Sequence, residues 1–128
     1  TCAVLEERMS KLEGGVAAMA VSSGQAASTF SIQNICHSGD NFISSTDLYG
    51  GTWNLFNNTM KEMGIECRFV DPKKPEQFEN AIDEKTRCIY GETLPNPKLQ
   101  VFPIDEVGKI EANRAAYAYM LNWLNQSS

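Results

Sequence analysis

The stretch Val21-Ser22-Ser23-Gly24-Gln25-Ala26-Ala27 combines small and apolar residues in an order that can bind an anion. It reads as a buried strand that turns through a small-residue corner into a helix. A helix that begins at such a corner presents unpaired backbone N–H groups and the positive end of its dipole, which suits a phosphate. Gly24 lets the backbone approach the anion closely. The corner is neither G-x-G-x-x-G nor a Walker A loop, so a dinucleotide or ATP site has little support. Two further segments carry chemistry. In Tyr49-Gly50-Gly51 the glycines can hold an aromatic face over a flat ligand. In Glu92-Thr93-Leu94-Pro95-Asn96-Pro97 two prolines bracket Asn96, and a stiff loop after a strand can hold an oriented amide, with Glu92 at the strand end. Each segment also has a plain structural reading: a strand–helix turn, a surface loop tyrosine, and a proline-rich connector in which Asn96 makes local turn bonds. Residue types and spacing alone leave both readings open.

The remaining candidates are bland. His37 is the single histidine and sits in a polar turn, so it reads as solvated. Glu6, Glu7 and Glu13 read as a solvated helix face. Cys2, Cys36, Cys67 and Cys88 show no C-x-x-C spacing and read as reduced thiols; Cys36 and Cys67 lie in or beside apolar segments and read as core. No metal site is indicated. Asn57-Asn58-Thr59 and Asn125-Gln126-Ser127 match the glycosylation pattern by chance, given no secretory signal.

The elements that must position these residues alternate. Leu5, Met9 and Leu12 recur at helical spacing, and Gly14-Gly15 stops that helix. Val16 to Val21 is a continuous small-apolar run that predicts a strand covered on both faces. Ala26 to Ile35 predicts a helix, Asn41 to Ser44 a strand, and Trp53 to Met63 a helix capped by Thr52 and ended by Gly64. Ile65 to Val70 is a strand broken by Asp71-Pro72, and a helix from about Pro75 buries Phe78 and Ile82. Arg87 to Gly91 is the next strand, Thr93 to Pro103 a loop, and Asp105 caps a helix from near Glu106. Ala112, Ala116, Tyr119 and Trp123 predict a helix in 111–128. Strand–helix alternation predicts a three-layer α/β/α domain with a mainly parallel sheet.

At 128 residues the chain is one domain's worth. Its net charge of -5 argues against nucleic-acid or anionic-membrane partners. No apolar run approaches the roughly 20 residues of a membrane span. The N-terminus has no basic n-region or signal core, which points to the cytoplasm, and no initiating Met, which points to a cut chain.

Ser23-Gly24-Gln25, Tyr49-Gly50-Gly51, Glu92-Thr93-x-x-Asn96-Pro97 and the opening Leu5-Glu6-Glu7-Arg8 occur in the order and at the intervals of the Cys/Met-metabolism family of pyridoxal-phosphate (PLP) enzymes, which the chain resembles from Thr1 to about Ile110. The Ser-Gly-Gln-Ala-Ala form is most similar to the O-acetylhomoserine sulfhydrylase branch. The resemblance implies that 1–110 is part of a PLP-binding large domain, with 111–128 a helical tail outside the pattern. It implies pyridoxal 5'-phosphate as cofactor, held by Ser23, Gly24, Gln25, Tyr49, Glu92 and Asn96. The amides of Gly24 and Gln25 take the phosphate, Tyr49 stacks on the ring and helps to move protons, and Asn96 donates to the ring oxygen. It implies a small amino-acid substrate, a homo-oligomer, and replacement of the acetate of O-acetylhomoserine by sulfide or a thiol. Cystathionine γ-synthases, cystathionine lyases and methionine γ-lyases are the alternatives within the family. A non-catalytic fragment that self-associates is the alternative outside it. The family's Tyr-x-Arg segment falls before Thr1. Its ring-nitrogen aspartate and cofactor-bearing lysine fall beyond Ile110, and none of the seven lysines here matches that lysine by motif. The expectation is therefore a chain inactive by itself.

Overall fold

The computed structural model describes residues 1–93, 95, 101–112 and 118–121, with side chains up to 110. Its centre is a four-stranded sheet of β1 (Asn41–Ser45), β2 (Glu66–Val70), β3 (Thr86–Gly91) and β4 (Ala118–Leu121), in the order β2-β1-β3-β4. All three pairings are parallel, so each strand's carboxyl end lies on one side. The helices are α1 (Cys2–Glu13), α2 (Gly24–Ile35), α3 (Gly50–Asn54), α4 (Met60–Glu62), α5 (Glu76–Ala81) and α6 (Ile104–Ala112). A π-helical turn, Leu55–Thr59, joins α3 to α4.

Every residue of β1 is buried, as a parallel strand covered on both faces requires. Alternate residues feed two cores. Phe42, Cys88 and Tyr90 pack with Ile32, Phe56 and Met60 on one face. Ile43 and Ile89 pack with Phe78, Phe102 and Val107 on the other. Phe56 meets Phe42 and Tyr90 edge-on at centroid distances of 4.9 and 4.8 Å, a favoured aromatic geometry. The α/β/α layering expected from the alternation is thus present.

Gly14 ends α1 in the left-handed conformation, with φ 67°, as the double glycine predicts. The expected strand at Val16–Val21 does not form. That segment lies outside the sheet, with Val16 and Met19 exposed, held by Ala20 N–H donating to a Glu6 carboxylate oxygen at 2.8 Å. An apolar run becomes a buried strand only where a ladder and two covering layers meet it, and β4 takes the ladder position beside β3. Of the helix expected over 111–128, the described residues are helix only to Ala112 and strand at Ala118–Leu121. Four consecutive apolar residues fit either element, and pairing with β3 decides. Thr52 is inside α3 rather than before it, and Asp105 is inside the first turn of α6.

Candidate functional site

The carboxyl end of the sheet gathers three loops. In open α/β sheets this is where ligands bind. The first is the entry to α2. Ser23 is extended (φ -160°, ψ 162°) and caps the helix: its Oγ accepts from Ala26 N–H at 3.1 Å and its carbonyl from Ala27 N–H at 3.0 Å. The side-chain bond satisfies one of the helix's orphan donors, and the carbonyl bond is the first of the helix's own ladder. The N–H groups of Gly24 and Gln25 precede the first helical turn's acceptors and point out of the helix end. Ser23 is exposed and Gly24 and Gln25 are half-buried, so an anion has access to them.

The second loop follows β1 and starts α3. Gln25 Nε2 donates to Thr52 Oγ1 at 3.1 Å, which ties the start of α2 to α3. Tyr49 lies at the head of α3 and is 43% exposed. Gly51 lies beside both. A Cβ built on Gly51 would come within 2.9 Å of Tyr49 Cε1 and 3.2 Å of Gln25 Nε2. The glycine is therefore needed for the tyrosine ring and the glutamine amide to close on one point.

The third loop follows β3. Glu92 is 4% exposed, and its Oε1 and Oε2 accept from Tyr49 N–H at 3.4 and 3.3 Å. Thr93 accepts from Phe102 N–H through its carbonyl at 3.1 Å, while its Oγ1 is buried with no hydrogen-bond partner among the described residues. A Cβ on Gly91 would collide with the Phe102 ring, so this loop enters the site along a fixed path.

Of the six residues expected to form the site, the structure brings Ser23, Gly24, Gln25, Tyr49 and Glu92 to one end of the sheet. Asn96 lies outside the described residues. Sequence reasoning missed Thr52, which after two glycines reads as a helix cap but is fully buried and bonded to Gln25. It also missed Asp47, buried in the turn after β1, whose N–H donates to Ser45 Oγ at 3.0 Å; no local pattern marks it.

The other end of the sheet is different in kind. A groove of about 490 Å³ is lined by Asn41, Glu66, Arg68, Asp83 and Lys85 among others. Arg68 pairs with Asp83 at 2.8 Å and Glu66 at 3.1 Å. The Asn41 side-chain amide, the Lys85 backbone N–H and Arg68 hold the Asp83 carboxyl well below the usual carboxylate range. His37 is exposed near this end, 3.8 Å from Asp40. The cysteines are free, with Cys36 and Cys88 buried. Among the described residues no cluster of His, Cys, Asp or Glu is arranged to hold a metal, and every lysine is exposed.

A model of the Cys/Met metabolism PLP-dependent enzyme family matches residues 1–122. The homocysteine/cysteine synthase of Saccharomyces cerevisiae is 52% identical over 107 residues, 84% of this chain and 24% of that protein. The O-acetyl-L-homoserine sulfhydrylase of Leptospira meyeri is 47% identical over 110 residues, 86% of this chain and 25% of that protein. The chain thus spans about a quarter of the length of the curated relatives it matches. Among solved structures, a Campylobacter jejuni protein described as an O-acetylhomoserine (thiol)-lyase superposes with a TM-score of 0.88 at 33% identity. The superposition covers 94% of this chain and 29% of that one, which contains N'-pyridoxyl-lysine-5'-monophosphate.

Proposed function

We propose, since this chain belongs to the Cys/Met metabolism PLP-dependent enzyme family, that it forms part of the cofactor-binding domain of an O-acetylhomoserine sulfhydrylase. In that reaction the bond from the γ-carbon to the acetate oxygen breaks, acetate leaves, and a sulfide or thiol sulfur bonds to the same carbon. The names of the similar proteins, homocysteine/cysteine synthase and O-acetyl-L-homoserine sulfhydrylase, support this branch over the lyases. Bound pyridoxal phosphate supplies the electron sink that stabilises negative charge at the substrate's α-carbon.

The residues present fit such a ligand. Gly24 and Gln25 N–H groups bind the phosphate dianion, aided by the α2 dipole. Tyr49 offers an exposed ring face for stacking and a phenol for proton movement. Glu92 holds the Tyr49 backbone in place. The buried Thr93 hydroxyl is a donor left for a further partner at this end. Asn96 is assigned to the ring oxygen through its Glu92-Thr93-x-x-Asn96-Pro97 spacing. In the intact protein we assign a homo-oligomer with a small amino-acid substrate, acting in the cytoplasm. No helix among the described residues is long and apolar enough to cross a membrane.

The observation that carries this reading is the convergence of the α2 N-terminus and the Tyr49 ring on Gly51. A titration of the chain with pyridoxal 5'-phosphate, pyridoxal and inorganic phosphate tests it. Tighter binding of the phosphorylated ring than of either part is expected. Equal binding of pyridoxal and its phosphate would rule out the anion site.

A further inference from the structure

We infer that Thr52 is a positioning residue: by accepting the Gln25 Nε2 proton it fixes the span between the α2 amides and Tyr49, and so favours a ligand carrying both an anion and a flat ring over a bare anion. The inference rests on the cofactor reading above and deepens it. Gln25 is the second residue of α2, so the residue whose side chain reaches Thr52 also supplies one of the two anion-binding amides. Its Nε2 and the Tyr49 ring both lie close to the point where a Cβ on Gly51 would stand. Thr52 is fully buried, and a valine of the same shape would bury more cheaply there. A hydroxyl at this position makes sense through its partners.

A free glutamine side chain has rotamer entropy worth up to about 2 kcal/mol to lose on being ordered. The bond to Thr52 orders it before a ligand arrives, which raises affinity without adding a ligand contact. A bare phosphate needs only the backbone amides at the α2 end. Loss of the Thr52 bond is therefore felt by the two-ended ligand and not by the anion.

The test compares Thr52→Val, Thr52→Ser and Gln25→Met in the 128-residue chain, titrated with pyridoxal 5'-phosphate and with inorganic phosphate. Thr52→Val is expected to weaken pyridoxal phosphate by about 3- to 10-fold, the worth of one hydrogen bond, with phosphate binding unchanged. Thr52→Ser is expected to restore wild-type affinity. Adding Thr52→Val to Gln25→Met is expected to cause no further loss of preference for pyridoxal phosphate over phosphate, since both remove the shared Gln25–Thr52 bond. Equal weakening of both ligands, or losses of that preference that multiply in the double variant, would overturn the inference. If Thr52→Val does not fold, Gln25→Met on the half-buried side of the bond must show the same ligand selectivity. If the wild-type chain binds no pyridoxal phosphate, the functional reading fails, and the order parameter of the Gln25 side-chain amide decides the positioning role. A value near that of rigid backbone, about 0.85, falling below about 0.6 in Thr52→Val supports it; no change overturns it.

Discussion

The backbone N–H of Tyr49 donates to both carboxylate oxygens of Glu92, at 3.4 and 3.3 Å, across 43 residues of chain. The bond joins the loop after β1 to the loop after β3 at the carboxyl end of neighbouring parallel strands. It gives Glu92 a role in holding the Tyr49 backbone.

Glu92→Ala removes that acceptor and leaves Tyr49 N–H without its carboxylate partner. The expected loss of stability is about 1–3 kcal/mol, measured by urea denaturation, with weaker pyridoxal phosphate binding. Glu92→Gln keeps an acceptor of the same length and should lose less of both. Equal losses in the two variants would show that the carboxylate acts elsewhere.

Gly51→Ala places a methyl 2.9 Å from Tyr49 Cε1 and 3.2 Å from Gln25 Nε2. Tyr49 is exposed and can swing away, so the melting temperature should hold while pyridoxal phosphate affinity falls. Calorimetric melting and a ligand titration on the same sample check this. Unchanged affinity would mean that the ring does not contact the ligand from its present place.

Much of this was legible in the sequence, for physical reasons. Val21 to Ala27 predicted the α2 entry because a corner of small residues leading into a helix is local chemistry, and the Ser23 cap is what the structure adds. The strands around Phe42, Phe69 and Ile89 were legible because apolar runs bounded by Gly, Asp and Pro fix their own limits. Val16–Val21 and Ala118–Leu121 were misread because pairing, not composition, decides whether an apolar run joins a sheet. Thr52 was misread because its partner Gln25 is 27 residues away, beyond any local pattern.

Asp83 gives a pH signature. Its folded pKa is depressed, by Asn41 first, then by the Lys85 N–H and Arg68, so its contribution to stability is present above the unfolded value of about 3.9. It is lost as pH falls below that value towards the folded one. Wild type should be more stable than Asp83→Asn at pH 7, and the difference should shrink as pH drops below about 4. Denaturation curves at stepped pH measure it; a gap that grows on acidification would reverse the sign and refute the account.

The lysines described are all exposed, and Lys11 is paired with Glu7 at 2.8 Å. Borohydride treatment of the chain with pyridoxal phosphate should give scattered, sub-stoichiometric pyridoxyl-lysine by peptide mass spectrometry. A single lysine modified to completion would mean that one amine reaches the cofactor.

The most direct measurement is the affinity of Gly24→Asp for pyridoxal 5'-phosphate. The substitution sets a carboxylate beside the two α2 amides, where like charge repels the phosphate dianion. The account predicts that binding is abolished while the circular dichroism spectrum is kept. Wild-type affinity in that variant would contradict it, because the phosphate would then be held somewhere other than the start of α2.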